Sequence, residues 1–441
     1  MIFKELIYKL IDNKIDTIEL HGLTNQELSV LYHALNLNSS LKQLILSSNQ
    51  IEDITLLCKS LINNYCLEKL DLYHNRIKDI TPLKFLSNSC LKVLNLSWNK
   101  IEDITPLKFL SNSCLEKLDL SENKIKDITS LNFLEKSCLQ ELDLYKNQIK
   151  DITPLKFLSN SCLKILNLSW NKIKDISFLK FLSNSCLVKL ELNNNQIEDI
   201  TSLKYLENNS CLKTLDLYEN KIEDISSLKF LENNSCLKKL SLSGNNIEDL
   251  TPLKYLENNS CLKELDLSIN QIEDITPLKF LENNSCLKEL NLFENQIEDL
   301  TPLKYLENNS CLKILDLSEN QIEDISSLKS LSNSYLKYLS LNYNQIKDIT
   351  PLKFLKNNSC LKTLDLSCNN IKDINSLKYL SNSYLKTLDL SGNYIEDISP
   401  LKFLENNSYL KELCLINNQI KENDYQKIKK LAELKQIKLY V

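Results

Sequence analysis

The chain has 441 residues, with 53 Lys and Arg against 58 Asp and Glu, and a formal net charge of −5. Apolar residues make up 43% and charged residues 25%, which is the composition of a soluble globular protein with a large core and excludes a disordered or collagen-like chain. Arg76 is the single Arg, so neither a basic nucleic-acid surface nor paired Arg contacts to phosphate or guanine are expected.

Scarce residue types exclude further classes of protein. Only three Gly occur, too few for the Gly-rich loops that hold phosphates or dinucleotides. The three His lie between residues 21 and 74, and none has the spacing to Cys or carboxylates that is typical of a zinc site. The sequence therefore predicts a protein that is not an enzyme and that holds no metal and no cofactor.

The first 40 residues differ from the rest of the chain. Charged side chains interrupt the first apolar segment, and no later apolar run could span a bilayer, so neither a signal peptide nor a membrane anchor is expected. Apolar spacing predicts a helix over residues 3–11, an atypical strand over 15–20 and a longer capped helix over 24–35. Residues 1–40 are therefore predicted to form an N-terminal cap and an atypical first repeat.

Residues 41–420 consist of a repeated unit of about 25 residues. Each unit carries Leu-x-x-Leu-x-Leu-x-x-Asn, and a shorter and a longer version differ by one loop residue. Such a period is typical of solenoid proteins, in which each unit buries its apolar face on its neighbours. The motif ends, in sixteen units, at Asn49, Asn75, Asn99, Asn123, Asn147, Asn171, Asn195, Asn220, Asn245, Asn270, Asn295, Asn320, Asn344, Asn369, Asn393 and Asn418.

The unit around Asn270 shows how the first half of the repeat is expected to fold. Leu265 and Leu267 alternate with polar residues, which predicts a short strand with one buried face. Asn270 follows where the strand turns away, and a buried amide there can pair with backbone groups that the turn exposes. Sixteen such side chains in register predict a structural ladder along the repeat.

The second half of the unit carries the signals of a short helix. Thr276 is expected to be the N-cap, and Pro277 suits the first helical position, where its missing N–H would be unpaired anyway. Leu278 and Leu281, three residues apart, are expected to turn one apolar face inward. Phe280 is replaced by Tyr in several units, which indicates a ring whose edge reaches water.

These motifs resemble the leucine-rich repeat pattern. The run Ile-Glu-Asp-Ile-Thr-Pro-Leu after Leu-Asp-Leu-Ser-x-Asn is most similar to the class found in bacterial internalins and in the leucine-rich regulatory subunit of type-1 protein phosphatase. The resemblance covers residues 41–420 and implies an α/β leucine-rich repeat solenoid. In that fold a curved horseshoe carries a parallel β-sheet on its concave face and short helices or 3₁₀ turns on its convex face.

The last residues, 421–441, are expected to cap the C-terminal end of the array. Asn423 or Asp424 can start a helix that continues to Leu431, and residues 434–439 alternate like a last strand. No catalytic module is expected at either end of the repeats.

Twelve of the fifteen Cys share one position, directly before the first Leu of a unit. Parallel side chains in neighbouring units are poorly placed for disulfides, so the column is interpreted as small buried apolar residues with reduced thiols. Reduced thiols are typical of a cytoplasmic or nuclear protein and not of a secreted one. The twelve are Cys66, Cys90, Cys114, Cys138, Cys162, Cys186, Cys211, Cys236, Cys261, Cys286, Cys311 and Cys360.

The position between the two strand Leu residues is acidic in nine units, and function is expected on such exposed strand positions. One interpretation is an acidic groove for a basic partner, with Asp119, Asp143, Asp216 and Asp266 among its residues. The other, which we favour, is that Asp is a common residue on a solvated strand and that nearby Lys side chains offset the repulsion. The remaining five are Asp71, Glu191, Asp316, Asp365 and Asp389.

Large aromatic residues follow the strand at two further positions that are expected to be exposed. Such residues commonly anchor protein interfaces, which makes them candidate partner-binding residues. Residues 67–138 and 139–210 are close copies, however, so a recent duplication explains the recurrence of several aromatics after 72 residues equally well. The first position holds Tyr73, Tyr145, Tyr218 and Phe293, and the second holds Trp98, Trp170 and Tyr343.

The sequence thus favours a non-enzymatic scaffold or adaptor, a monomer that binds a protein partner on the concave face and neither nucleic acid nor membrane. Two alternatives stay open: a recognition arm of an enzyme complex, such as a ubiquitin ligase or a phosphatase, and an extracellular adhesin. Near-identical units rich in Lys, Asn and Ile also indicate an AT-rich genome, such as that of a protist or a giant virus.

Overall fold

A computed structural model describes residues 2–160, 162–183, 185–358, 360–381, 383–405 and 407–441. The chain divides into two compact units, Met1–Leu215 and Asp216–Val441. Both are built from the same repeat, in which a three-residue strand is followed by a tight turn, an extended segment and a short helix.

The first unit contains a parallel sheet in which each strand pairs with the next one along the chain. The register is constant, so the middle Leu of each strand lies beside the middle Leu of its neighbour, as Leu94 does beside Leu118. The strands are β1 (Thr17–Glu19), β2 (Gln43–Ile45), β3 (Lys69–Asp71), β4 (Val93–Asn95), β5 (Lys117–Asp119), β6 (Glu141–Asp143), β7 (Ile165–Asn167) and β8 (Lys189–Glu191).

The second unit repeats this arrangement, and its strands also pair in chain order and in parallel. A further strand, β9 (Thr214–Asp216), includes residues on both sides of the division. The strands of the second unit are β10 (Lys239–Ser241), β11 (Glu264–Asp266), β12 (Glu289–Asn291), β13 (Ile314–Asp316), β14 (Tyr338–Ser340), β15 (Thr363–Asp365), β16 (Thr387–Asp389), β17 (Glu412–Cys414) and β18 (Lys438–Tyr440).

Short 3₁₀ helices follow the strands, as expected for segments too short to form regular α-helices. In the first unit they are Thr81–Leu86, Thr105–Leu110, Thr129–Lys136, Thr153–Asn160, Ser177–Leu182 and Thr201–Leu206. In the second unit they are Ser226–Leu231, Thr251–Leu256, Thr276–Leu281, Thr301–Leu306, Ser326–Asn333, Thr350–Asn357, Asn375–Leu380 and Ser399–Glu405.

The expected N-cap of these helices is wrong by one residue. Thr276 is already the first helical residue, and Ile275 stands at the cap position without a side-chain bond. Asp274 supplies the missing acceptor, because its Oδ1 takes a hydrogen bond of 2.7 Å from the backbone N–H of Thr276. The inward face is confirmed, since Leu278 and Leu281 are buried, and the Phe280 ring is half-exposed as predicted.

The predicted Asn ladder is confirmed. The Nδ2 group of Asn270 donates to the carbonyl of Leu242 in the preceding repeat and to the carbonyls of Leu267 and Ser268 in its own, at 2.9 to 3.1 Å. Its Oδ1 accepts the backbone N–H of Ile247 at 3.0 Å. The ladder therefore ties each turn to the previous repeat through groups that would otherwise be buried without partners.

The buried position assigned to the Cys column is wrong. Cys66 and the next five members are exposed, and the later members are half-exposed. In the longer repeats the inward position belongs to an Asn two residues earlier: Asn259 is 2% exposed, and its Oδ1 accepts the backbone N–H of Cys261 at 3.0 Å. Its Nδ2 donates to the carbonyl of Asn234, so a second Asn ladder holds the loop and leaves the thiol outside.

The N-terminal elements match the prediction closely. Helices α1 (Ile2–Ile11) and α2 (Asn25–Asn36) flank β1, and a further short helix, α3 (Thr55–Ser60), stands where later repeats have a 3₁₀ helix. Thr24 caps α2 in a capping box with Glu27, as its sequence indicated.

The C-terminal elements differ from the prediction in their bounds. Helix α4 (Glu422–Lys435) starts before Asn423 and continues past Leu431, and the last strand is correspondingly shorter, Lys438–Tyr440. The left-handed conformation of Gln436, at φ 57°, ends the helix.

Candidate binding face

The outward side of each sheet presents the residues expected to bind a partner. In each repeat the middle strand Leu is buried, while the first and third strand residues are mostly half-buried or exposed. We define the strand face as these two residues together with the two residues that precede the ladder Asn. In the repeat of β3, for example, it consists of Lys69, Asp71, Tyr73 and His74.

The second turn position of the strand face has an unexpected backbone conformation. The residue directly before the ladder Asn has a positive φ throughout the repeats, at 53° in Trp98, 54° in Trp170 and 52° in Tyr343. This left-handed region favours Gly and Asn, and Gly244 and Gly392 occupy two of these positions. The repeat motif alone does not predict this conformation; its visible signal in the sequence is the two Gly together with Asn194 and Asn417.

Three rings of the first unit form a cluster on the strand face. The Tyr73 and Trp98 ring centroids are 6.3 Å apart in an edge-to-face arrangement, and the His74 ring is 5.7 Å from both. The Oγ of Ser48 lies 3.0 Å from Nδ1 of His74, which restrains the imidazole. We call Tyr73, His74 and Trp98 the aromatic cluster.

The aromatic cluster is accessible to a partner. Tyr73 is 38% exposed and Trp98 45% exposed, and the ammonium of Lys146 lies 5.7 Å from the Trp98 ring centroid. Trp170 is 48% exposed on the same strand face. These side chains combine large apolar area with polar atoms at their edges, the combination found in interface anchors.

The other candidate aromatics differ from this cluster. Tyr145, Tyr218 and Phe293 are only half-exposed, whereas Tyr343 is 58% exposed. Tyr145 and Trp170 are the 72-residue copies of Tyr73 and Trp98, yet no ring contact joins them in the described part of the first unit. Lys146 stands where the first copy has His74, so the duplication did not reproduce the cluster.

The acidic strand residues have a structural role in the turn. Asp119 Oδ1 accepts the backbone N–H of Ser121 at 3.0 Å, and Asp143, Asp216 and Asp266 make the same bond two residues ahead at 2.9 to 3.2 Å. Asn at this position makes the bond equally well, as Asn95 does to Ser97. The requirement for a short side-chain acceptor explains why Asp and Asn dominate the column, which supports the favoured interpretation of the acidic positions.

Asp143 is electrostatically the most unusual of these carboxyls. Burial raises its pKa to about 6, and the carboxylates of Asp119 and Glu191 add to the effect, although the hydrogen bonds from the Tyr145 N–H and the Asn167 amide oppose it. Asp119 on β5 and Asp143 on β6 lie directly opposite each other in register. Their two negative charges therefore repel each other.

Within the described residues, no group of three or more His, Cys, Asp or Glu side chains converges in a way that could hold a metal ion. Among the helices of that same part of the chain, none is both long and apolar enough to cross a membrane.

Comparison with known families identifies the repeat. Models described as "Leucine rich repeat" and "Leucine Rich repeats (2 copies)" match residues 66–130 and a series of segments from 39–85 to 361–403. The chain belongs to the leucine-rich repeat family. Its parallel strands and short 3₁₀ helices form the leucine-rich repeat solenoid that the resemblance implied, and the Asn ladder joins successive repeats. A search of curated proteins finds no match to this chain.

Solved leucine-rich repeat structures have the same fold. A leucine-rich repeat protein from Leptospira interrogans is 24% identical with a TM-score of 0.72, and the match covers 99% of this chain and 98% of that one. An internalin from Listeria monocytogenes is 30% identical with a TM-score of 0.50, over 87% and 90% of the two chains. The ectodomain of an Arabidopsis thaliana receptor kinase, GASSHO1/SCHENGEN3, is 23% identical with a TM-score of 0.64, over 92% and 53%.

Proposed function

We propose that this leucine-rich repeat protein is a non-enzymatic scaffold that binds a protein partner on the strand face of its first unit. The observation that carries the proposal is the aromatic cluster, because three rings in mutual contact remain accessible where the repeat requires none of them. The same positions hold Ser in other repeats, such as Ser97 and Ser48, so folding alone does not explain the rings.

The physical case rests on what a partner gains there. Burying an exposed aromatic ring removes a large apolar area from water, and rings already fixed by neighbours lose little side-chain entropy on binding. Trp98 is held at its edge by Tyr73 and His74, which makes it a preformed anchor. The Arabidopsis receptor ectodomain of the same fold is in complex with CASPARIAN STRIP INTEGRITY FACTOR 2, which is consistent with a protein partner here.

A differential capture experiment tests the proposal. The purified chain is crosslinked in reducing extract as wild type and as a triple variant, Tyr73→Ser, Trp98→Ser and Trp170→Ser. Ser is tolerated in the left-handed position, since Ser48 has φ 58°. The matched control replaces three exposed aromatics of the same unit outside the strand face, Tyr8, Tyr65 and Tyr205, with Ser.

We expect one dominant partner that the wild type and the control variant retain and the strand-face variant loses. Retention of the partner by the strand-face variant would contradict the proposed site. Equal loss of the partner from both variants would show that it binds exposed aromatic side chains nonspecifically and does not recognise the aromatic cluster.

We further propose that the protein works as a monomer in a reducing compartment, the cytoplasm or nucleus. Its exposed thiols support the proposed compartment, because six accessible Cys from Cys66 to Cys186 would oxidise readily outside the cell. Rapid alkylation of cellular thiols followed by mass spectrometry should find these Cys reduced. A disulfide at any of them in the native protein would contradict the proposed compartment.

A further inference from the structure

One Lys per repeat forms a continuous row at the start of the strands of the second unit. Each of these Lys directly precedes the first residue of a strand, and from the second Lys onward its backbone N–H donates to the backbone carbonyl of the previous Lys at 2.7 to 2.8 Å. These bonds hold neighbouring Lys at the spacing of paired strands, about 4.8 Å. The row consists of Lys238, Lys263, Lys288, Lys313, Lys337, Lys362, Lys386 and Lys411.

In the first unit the same position carries mixed charges that neutralise one another. Lys42 and Asp16 form an ion pair there at 4.0 Å, and Lys92 and Glu68 form one at 3.1 Å. The ion pairs among the described residues of the second unit include none of the eight Lys of the row. The fold does not require Lys at this position, because Gln140 holds it in the first unit. The residue after the Lys also varies among these repeats, so copying of whole units does not by itself explain the constant Lys.

From β13 to β16, the positions beside the row are not acidic. Neutral residues directly follow the Lys, and Cys or Tyr stands two residues before it. The acidic residues closest in sequence follow the Lys by three positions, and their Oδ1 atoms accept the backbone N–H two residues further on at 2.9 to 3.0 Å. Their carboxylates are thus held towards the turn and not towards the row. These residues are Asp316, Asp365 and Asp389.

Exposed Tyr side chains lie beside the same part of the row. Tyr335 is 59% exposed, Tyr384 46% and Tyr409 45%, and one buried Leu separates each of them from its Lys. The Tyr384 and Tyr409 ring centroids are 4.5 Å apart, and Asn407 Oδ1 accepts the backbone N–H of Tyr409 at 2.8 Å. Most repeats have Cys in this position, so the fold does not require a ring. We define the basic edge as these three Tyr together with Lys313, Lys337, Lys362, Lys386 and Lys411.

We propose that the basic edge binds an extended, Asp- and Glu-rich segment of the partner protein. This inference rests on the proposed function only in taking the ligand to be a protein. Five Lys at a spacing of about 4.8 Å cover about 19 Å, which about six extended residues would span. Carboxylates between the ammonium groups relieve the repulsion of neighbouring Lys, and the Tyr rings cover apolar residues that lie between the acidic ones.

An acidic peptide fits this surface better than a nucleic acid does. The row contains no Arg, whose planar guanidinium holds phosphate with two hydrogen bonds. The row is also only one side chain wide. The carboxylates of Asp365 and Asp389 follow three residues further along the strands, where they would repel the phosphates of a broader ligand. An extended peptide can align its acidic side chains along a single row.

Binding of defined probes tests the inference. The main probe is a fluorescent twelve-residue peptide of alternating Glu and Val. It is compared with a peptide of alternating Lys and Val and with a single strand of twelve thymidine nucleotides. The edge variant combines Lys337→Gln, Lys362→Gln and Lys386→Gln. Gln is compatible with the fold at this position, because Gln140 occupies it in the first unit with the same backbone hydrogen bond to the previous repeat.

The matched control removes the same charge from 3₁₀ helices of the same unit. It combines Lys329→Gln, Lys353→Gln and Lys378→Gln, three exposed residues. The edge variant should bind the Glu peptide about tenfold more weakly than wild type, since each lost exposed ion pair changes affinity about two- to threefold. The control variant should change affinity less than about twofold.

The contribution of the rings is tested separately. The double variant Tyr384→Cys and Tyr409→Cys places at both positions the residue that most repeats have there. In reducing buffer it should bind the Glu peptide about threefold more weakly than wild type, because the apolar contact with the rings is lost. An unchanged affinity would contradict the role of the rings.

Several results would overturn the inference: no binding of the Glu peptide by wild type, equal binding of the Lys peptide, no loss in the edge variant, or an equal loss in the edge and control variants, which would indicate attraction by net charge alone. Tighter binding of the thymidine strand than of the Glu peptide would also overturn it and assign the basic edge to nucleic acid. The experiment changes no residue of the aromatic cluster, so its failure is distinguishable from failure of the capture experiment on the first unit.

Discussion

The side-chain oxygen of Asn270 accepts a hydrogen bond of 3.0 Å from the backbone N–H of Ile247, which lies 23 residues earlier in the chain. The same amide donates to three carbonyls, one of them in the preceding repeat. One buried side chain therefore satisfies four backbone groups, and it couples the turn of one repeat to the extended segment of the previous one.

Removal of this amide should be strongly destabilising. Asn270→Ala leaves a buried N–H and carbonyls without partners, which costs about 3 kcal/mol at typical values for unsatisfied buried groups. Urea unfolding followed by circular dichroism measures the loss. Asn246→Ala, at an exposed Asn nearby, is the control and should change the free energy of unfolding by less than about 0.5 kcal/mol. Equal effects of the two substitutions would contradict the structural role of the ladder.

The left-handed turn position predicts a stabilising substitution. Ile269 adopts φ 52° although its β-branched side chain disfavours that region. Ile269→Asn should raise the free energy of unfolding by about 1 kcal/mol, because Asn tolerates the conformation, as Asn194 and Asn417 do. Urea denaturation of wild type and Ile269→Asn under the same conditions measures the difference in the free energy of unfolding. A variant less stable than wild type would show that Ile269 packing outweighs the backbone strain.

Asp143 predicts a pH-dependent difference in stability. The pKa of Asp143 in the folded state, about 6, lies above the ordinary Asp value of 3.8, so the folded state binds the proton more tightly and loses stability as pH rises through that window. Asp143→Asn removes this loss. The shift corresponds to about 3 kcal/mol, and the net gain should be about 2 kcal/mol because a weak bond from Asn167 is lost.

Urea titrations of wild type and Asp143→Asn from pH 4 to pH 8 measure this difference. The variant should be the more stable protein above pH 6, and the difference should shrink towards zero as pH falls to 4. A difference that is constant across this range would mean that ionisation of Asp143 is not its source.

The thiol column predicts a clear pattern of chemical reactivity. The six exposed Cys from Cys66 to Cys186 should react with a soluble disulfide reagent in the folded protein. Cys58 is buried, and burial raises the pKa of its thiol, so it should react only after denaturation. Peptide mapping after differential labelling assigns each site. Protection of the six in the native protein would restore the interpretation of the column as buried.

Residues whose roles repeat in every unit were predictable from the sequence. The alternation of Leu265 with Leu267 and the position of Asn270 predicted the strand, its buried face and the ladder, because burial imposes these residues at a fixed spacing. The exposed candidates Trp98 and Trp170 could also be placed on the strand face from their distance to the strand.

Features that depend on backbone geometry were not predictable in the same way. The positive φ of Trp98 follows from the turn that leads into the ladder, and its residue type gives no sign of it. The repeated position of the half-buried Cys261 predicts a core residue, because an apolar side chain there usually packs inward, whereas Asn259 takes that place through hydrogen bonds. The contact between Tyr73 and Trp98 required the side-chain conformations of two repeats.

The proposed function requires the partner to contact the strand face of the first unit. Photocrosslinking detects this contact, with a photoreactive amino acid placed either at Lys117 on β5 or at Lys108 on a 3₁₀ helix, both exposed Lys residues. The partner captured by wild type should crosslink from position 117 and not from position 108. Crosslinking from position 108 at equal or higher yield would contradict it.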